Sequence, residues 1–427
     1  MHPGWLRCSS LTYLGYAPSS RLAPPGASAA IIERLSHSPP LTRSLYLGTV
    51  FSRRSSRDRS PNALFSLLAS VGKPPFDLTG SNPTTAGIAY PGELLQALHR
   101  AQAQSLVYRP EPFGLPSARA ALAELTGASV DDILLTASTS EAYAFLFKLL
   151  CDPGEAVLVP APSYPLFEHL AELEGVQAVP YRLAYDGAWH VDLDSVKRAV
   201  TPRVRAIIAV SPNNPTGQFL RESERDGLAE LGLPLISDEV FAAFPLRPDA
   251  PAATPPSRGC LTFTLDGLSK RAGSPQLKLG WTVVSGPERD RREACERLEL
   301  IADTFLSVAT PVQQALPDLL LACPSVTRAI AERCRHNLAT LEGAVKDSPV
   351  TLLRAEAGWS SVLRLPAVNS EEELVLGLLR DAGVLVQPGW YYDFESEPYA
   401  VVSLLTEPRG FEAGTARLVD YVTRVAS

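Results

Sequence analysis

The stretch GLSKRAGSPQLKLGW, residues 267–281, sets two lysines, Lys270 and Lys278, among turn formers and small residues. An amine in such a place can attack a carbonyl once its surroundings remove its proton. Lys270 shares one trait with three other polar groups: each comes straight after an apolar run that reads as a strand. Ser138-Thr139-Ser140-Glu141 follows DILLTA, Asn213-Asn214 follows VRAIIAV within SPNNPTGQ, Asp238 follows PLIS, and Lys270 follows LTFTL. Ligands of open parallel sheets bind at the carboxyl ends of the strands, so these four places belong to one candidate site. Ser138 with Glu141 three residues on reads as a capping box. The same hydroxyls and free amides at a helix start also suit a phosphate. Asparagine amides suit a phenolic oxygen or a carboxylate. An acid that ends an apolar strand needs a partner or remains expensively desolvated.

Short apolar runs alternating with amphipathic segments must position these groups. DILLTA, EAVLVP, VQAVPY, VRAIIAV, PLISD, LTFTL and WTVVSG are the strand candidates, and PNALFSLLASV has helical spacing. LPSARAALAELTG and SYPLFEHLAELEG read as helices closed by Gly127 and Gly175. Such alternation implies an α/β fold: a three-layer, doubly wound, mostly parallel sheet with helices on both faces. After about Val308 the pattern changes. TPVQQALPDLLLA and VTRAIAERCRHNLATLEGAV read as two helices, and the remainder as a smaller α+β C-terminal domain. The expected division is a leader over 1–50, an N-terminal arm and part of the small domain over 51–92, a large domain over 93–307 and a small one over 308–427.

The chain has 427 residues, 45% hydrophobic and 20% charged, with a net charge of -7. That length supplies ample core for two or three domains, and the acidic balance argues against nucleic acid as a partner. Six cysteines, Cys8, Cys151, Cys260, Cys295, Cys323 and Cys334, form no CxxC pair, which points to a reducing cytoplasm and against a zinc site. No apolar run approaches the roughly 20 residues that cross a membrane. Residues 1–50 are rich in Ser, Pro and Gly with a single acid, Glu33, and are expected to be disordered. They read either as an extension without a role or as a transit peptide.

A phosphate cradle, an amide, an acid and an amine at neighbouring strand ends form the set that pyridoxal 5'-phosphate requires. A lysine holds that cofactor as a Schiff base, and an acid keeps its pyridine nitrogen protonated so that the ring accepts electrons. The order SPNNPTG, SDEVF, LSKRAGSPQLKLGW resembles class I/II aminotransferases of fold type I, over about Phe51 to the C-terminus. The resemblance implies that Lys270 is the Schiff-base lysine, that Asp238 pairs with the pyridinium nitrogen and that Asn214 bonds the phenolic oxygen. It further implies that Tyr164, in APSYPLF, stacks on the ring and that Ser138, Thr139 and Ser140 hold the phosphate. Lys278 stands where the family usually has a phosphate-binding arginine. Tyr108 resembles the tyrosine that reaches a neighbouring subunit's phosphate, which implies a homodimer. Plain core packing is the alternative for both tyrosines.

Two departures from the family pattern concern the chemistry. Phe241 replaces a tyrosine that also donates to the phenolic oxygen. Val401, in YAVVSLL, replaces the arginine that receives the substrate carboxylate, leaving Arg409, Arg53 and Arg54 as candidates for that task. The expected activity is a cytoplasmic aminotransferase that moves an amino group from an amino acid to a 2-oxo acid. The alternatives are a pyridoxal-phosphate lyase or decarboxylase, and a weakly catalytic cofactor-binding regulator.

Overall fold

In a computed structural model of the chain, residues 51–55, 60–251, 259–396 and 398–427 are described. The leader expected over 1–50 lies outside them. Eight strands form the main sheet: β1 (Ile133–Thr136), β2 (Ala156–Ala161), β3 (Gln177–Tyr185), β4 (Trp189–Val191), β5 (Val204–Val210), β6 (Leu235–Asp238), β7 (Thr262–Gly267) and β8 (Gly280–Ser285). Their order is β1-β8-β7-β6-β5-β2-β3-β4. The central pairings β7-β6, β6-β5, β5-β2 and β2-β3 are parallel. Alternation splits the strand residues between two cores: Ile207 and Ala209 face one, while Ala206, Ile208 and Val210 face the other. Burial on both faces explains why these strands read as continuous apolar runs.

β8 runs antiparallel to both β7 and β1. The reason lies in the segment between β7 and β8. A parallel strand needs a crossover of a dozen or more residues, usually with a full helix. Residues 268–279 supply only the four-residue helix α4 (Leu268–Arg271) and one 3-10 turn. The chain therefore doubles back, and the Leu268 N–H donates to the Leu279 carbonyl at 3.0 Å. Lys270 and Lys278 lie on the two arms of this return.

Helices cover the sheet as the spacing predicts. α1 (Pro116–Thr126) and α3 (Leu166–Glu174) end on Gly127 and Gly175, whose φ values of 72° and 77° lie in the left-handed region that glycine adopts without strain. α2 (Thr139–Leu150) starts at the end of β1, and α5 (Glu288–Phe305) follows β8. The two helices expected after residue 308 are one: α6 (Thr310–Val345) runs through Pro317 and Pro324. Each proline removes a helical N–H and crowds the preceding turn. A long buried face from Val312 through Leu316, Leu319, Val326, Ile330 and Leu341 offsets that cost.

A second, antiparallel sheet has the order β9 (Thr351–Leu352), β10 (Ser360–Arg364), β12 (Tyr399–Ser403), β11 (Gln387–Pro388). Helix α7 (Pro408–Ala426) follows it. Phe76–Asp77 pairs with Val384–Leu385 in parallel, so the segment after the first helix (Ala63–Val71) joins the C-terminal part. Among the described residues no helix is long and apolar enough to cross a membrane.

Candidate active site

β5, β6 and β7 are consecutive neighbours, and their register pairs Val210 with Asp238 and Asp238 with Leu265. The loop after β5, the acid ending β6 and the short helix after β7 therefore open on one place. Asp238 is 8% exposed. It accepts from the Tyr143 hydroxyl at 2.9 Å and from the Val240 N–H at 3.2 Å. Burial raises its pKa to about 6, against those two hydrogen bonds and the nearby Lys270 charge, which pull it down. Such an acid gains stability from a cationic nitrogen as partner. Glu239 follows it, bonded to the Ser237 hydroxyl at 2.9 Å, and burial raises its pKa to about 7. Asp266, also buried, is paired with Arg271 at 2.5 Å.

The Lys270 ammonium sits 5.3 Å from the Phe241 ring centroid and 5.0 Å from that of Trp359. Desolvation lowers its pKa, with Asp238 opposing. A lysine so placed is closer to the neutral form that a nucleophile needs. The two asparagines divide their work. Asn213 is buried, donates to the Pro162 carbonyl at 3.0 Å and to Thr216 at 2.7 Å, and accepts from Ser163 at 2.8 Å. It ties the loops after β2 and β5 together. Asn214 accepts from the Ser360 hydroxyl at 3.3 Å through Oδ1, which leaves its NH2 group as the donor end.

Ser138 caps α2, its hydroxyl accepting from the Glu141 N–H at 3.2 Å. Glu141 reaches back to the Ala137 N–H at 2.6 Å, not to that of Ser138, and also accepts from Ser307 at 2.6 Å. The first-turn amides of Thr139 and Ser140 have no helical acceptor, as at any helix start. Gly280 packs directly on this turn: a Cβ there would lie 3.2 Å from Ser138 C and Thr139 N. Lys278, two residues earlier, is exposed and left-handed, with φ 50°. Tyr164 is 36% exposed in the loop between β2 and α3, beside Ser163, whose N–H donates to the Tyr392 carbonyl at 2.9 Å. Tyr108 is 73% exposed in the single chain, so core packing is not its role.

Val401 is fully buried, paired with Val362 on one side and Gln387 on the other. Gln387 accepts from the Tyr392 hydroxyl, and the Ser403 hydroxyl donates to the Gly80 carbonyl at 2.6 Å. The arginines considered for the carboxylate are all exposed. Arg54 donates to the Leu173 carbonyl at the end of α3, Arg53 is its exposed neighbour, and Arg409 is exposed at the start of α7. Two site residues escaped sequence reasoning. Tyr143, 3% exposed, is the one polar-tipped residue on the apolar AYAFLF face of α2, which was a usable signal. Trp359 arrives from the second sheet and carried none.

An amine whose pKa burial lowers, a buried acid at a strand end, an amide donor and a helix start pressed by a glycine fit pyridoxal phosphate. The family model for aminotransferase class I and II matches residues 76–399. The chain is 26% identical over 363 residues to the glutamate-pyruvate aminotransferase AlaA of Haemophilus influenzae, covering 80% of this chain and 89% of that protein. It is 30% identical over 275 residues to AlaA of Escherichia coli K12, covering 62% and 67%. A crystal structure of an aminotransferase from Escherichia coli shares the fold, with TM-score 0.74 and 24% identity over 90% of this chain and 98% of that one. The chain belongs to the class I and II aminotransferases, pyridoxal-phosphate-dependent enzymes of fold type I that move an amino group from an amino acid to a 2-oxo acid.

Proposed function

We propose that Lys270 is the residue that holds the cofactor and moves the proton during transfer. The observation that supports this best is the placement of its Nζ, desolvated and over two aromatic rings, beside the buried Asp238 on the adjacent strand end. When bound, pyridoxal phosphate supplies an electron sink for the carbon that bears the amino group. Asp238 holds the proton on the pyridine nitrogen, and Tyr143 keeps its carboxylate in place. Asn214 offers its NH2 group to the phenolic oxygen, because Ser360 already occupies its Oδ1. Tyr164 covers one face of the ring. The amides and hydroxyls of Ser138, Thr139 and Ser140 take the phosphate, with Lys278 as the adjacent cation. Once displaced from the cofactor, Nζ carries a proton from the substrate's Cα, a task that its lowered pKa favours.

The proposed donor is glutamate, with pyruvate as acceptor, by analogy with the named activity of the relatives. Tyr108, exposed in one chain, is proposed to reach the phosphate of a second copy in a homodimer. The division into a large domain over 93–307 and a small one over 308–427, with 51–92 joining the latter, follows the two sheets. A cytoplasmic setting suits the free cysteines.

Mixing the purified protein with a panel of amino acids tests the proposal. Transamination converts the bound cofactor to its amine form, read by absorbance, and yields an oxo acid in step with the amino acid consumed. Release of ammonia without an acceptor would identify a lyase and overturn the donor and acceptor proposed, while leaving the role of Lys270 in place.

A further inference from the structure

A cavity of about 350 Å³ lies against α4, the short helix that carries Lys270, and is bordered by α1, α6 and the segment after β6. Ligand cavities begin at about 300 Å³, so this one holds a small molecule. Leu125, Leu320 and Ala331 make part of an apolar wall. Three arginines also line the cavity, Arg271, Arg328 and Arg335, and no acid does. The chain as a whole has a net charge of -7, so its composition would not place three like charges around one space.

The present partners of these arginines decide what is left over. Arg271 reaches the buried Asp266 through Nε at 2.7 Å and Nη2 at 2.5 Å, so its charge is met. Arg335 donates through Nη1 to the Pro245 carbonyl at 3.3 Å, a neutral partner. Arg328 has no hydrogen bond or ion pair among the described residues. Glu332 lies between the two on α6, yet it is exposed and pairs with neither among the described residues. Three guanidiniums less one carboxylate leave two positive charges without a counter-ion. The Thr327 hydroxyl donates to the Arg271 carbonyl and so fastens α6 to α4 on this side.

Guanidinium groups present planar pairs of donors that match carboxylate and phosphate oxygens. We propose that this cavity binds a small organic dianion, its oxygens on Arg328 and Arg335 and its short carbon body against the apolar wall. A phosphate monoester and a dicarboxylate share that chemistry. The inference does not rest on the role of Lys270, and its failure would leave that role untouched.

Calorimetric titration of the holoprotein with glycerol 3-phosphate, succinate and inorganic phosphate tests it, since none of these carries an amine, aldehyde or ketone that could react with the cofactor. Glycerol 3-phosphate or succinate is expected to bind about tenfold more tightly than inorganic phosphate, the equivalent of burying roughly two methylene groups, and the tighter of the two identifies the oxyanion. Arg328→Ala and Arg335→Ala should each weaken that binding about tenfold or more, with melting temperature and ligand-free transamination rate unchanged. Absence of binding heat from both organic probes at about 10 mM would overturn the proposal. Undiminished affinity in the Arg328→Ala/Arg335→Ala double variant would also overturn it, by placing the anion elsewhere. Inorganic phosphate binding as tightly as both organic probes would do the same, reducing the cavity to a patch of surface charge.

Discussion

The two ends of the candidate cleft are built by opposite means. At the proposed cofactor end most polar groups stand near a strand or helix terminus, and several have named protein partners. Asp238 is held by Tyr143 and Val240, Ser138 caps α2, and Asn213 locks two loops so that Asn214 is presented. At the end proposed to face the substrate, the strand interior is apolar. Val401 is fully buried between Val362 and Gln387, and Gln387, Tyr392 and Ser360 are neutral. If these residues hold the cofactor as proposed, a preorganised polar set selects it, and a neutral set opposite would leave substrate recognition to hydrogen bonds, which discriminate by shape more than by charge. The contrast explains how one chain can keep the family's chemistry while departing from its usual carboxylate cation.

Substitutions at the cofactor end should cost far more than any at the rim. Lys270→Ala is expected to abolish transamination and the absorbance of lysine-bound cofactor, since no other amine stands over Phe241 and Trp359 among the described residues. Residual turnover at wild-type rate would erase the distinction between the two ends. Asp238→Asn should retain the cofactor yet lose activity by several orders of magnitude, because a neutral amide cannot hold the pyridinium proton. Single-turnover rates with a bound amino acid measure that loss directly.

Lys278 sharpens the comparison, because it lies at the edge between tight and loose construction. Lys278→Ala should weaken cofactor binding by about 1.5–3 kcal/mol, the range for a hydrogen bond to a charged group, while Lys278→Arg is tolerated. Titration of the apo-variants with pyridoxal phosphate reads this. Unchanged cofactor affinity with weakened substrate binding would move Lys278 to the substrate end.

The smallest effect concerns pH. Asp238 and Glu239 have folded pKa values raised to about 6 and about 7, from 3.8 and 4.5. Between these limits the folded apo-protein binds more protons than the unfolded chain. These two groups therefore make it less stable as pH rises from about 4 to about 7, with the full penalty present above that window. Glu239→Gln should flatten the fall in apo-protein melting temperature over this range. Cofactor binding should relieve the Asp238 part. A wild-type and a Glu239→Gln profile of the same shape would contradict the assignment.

Much of the cofactor end was legible in the sequence because each residue directly follows a strand, and strand ends in a parallel sheet are neighbours by construction. Lys270, Asp238 and Asn214 are all of this kind. Tyr143 lay on a helix face, where its hydroxyl was visible but its acceptor was not. Trp359 reaches Lys270 from another sheet, a contact that only the tertiary structure brings about. The fused helix α6 was missed for a different reason. Local proline chemistry argued for a break, and burial of one continuous face prevailed. Arg53, Arg54 and Arg409 were candidates only by charge, which says nothing of position.

The most direct test of the account is borohydride reduction of the purified holoprotein followed by peptide mapping. The account predicts a single pyridoxyl adduct, on Lys270 in the GLSKRAGSPQLK stretch. An adduct on Lys278, or on any other lysine, would contradict it.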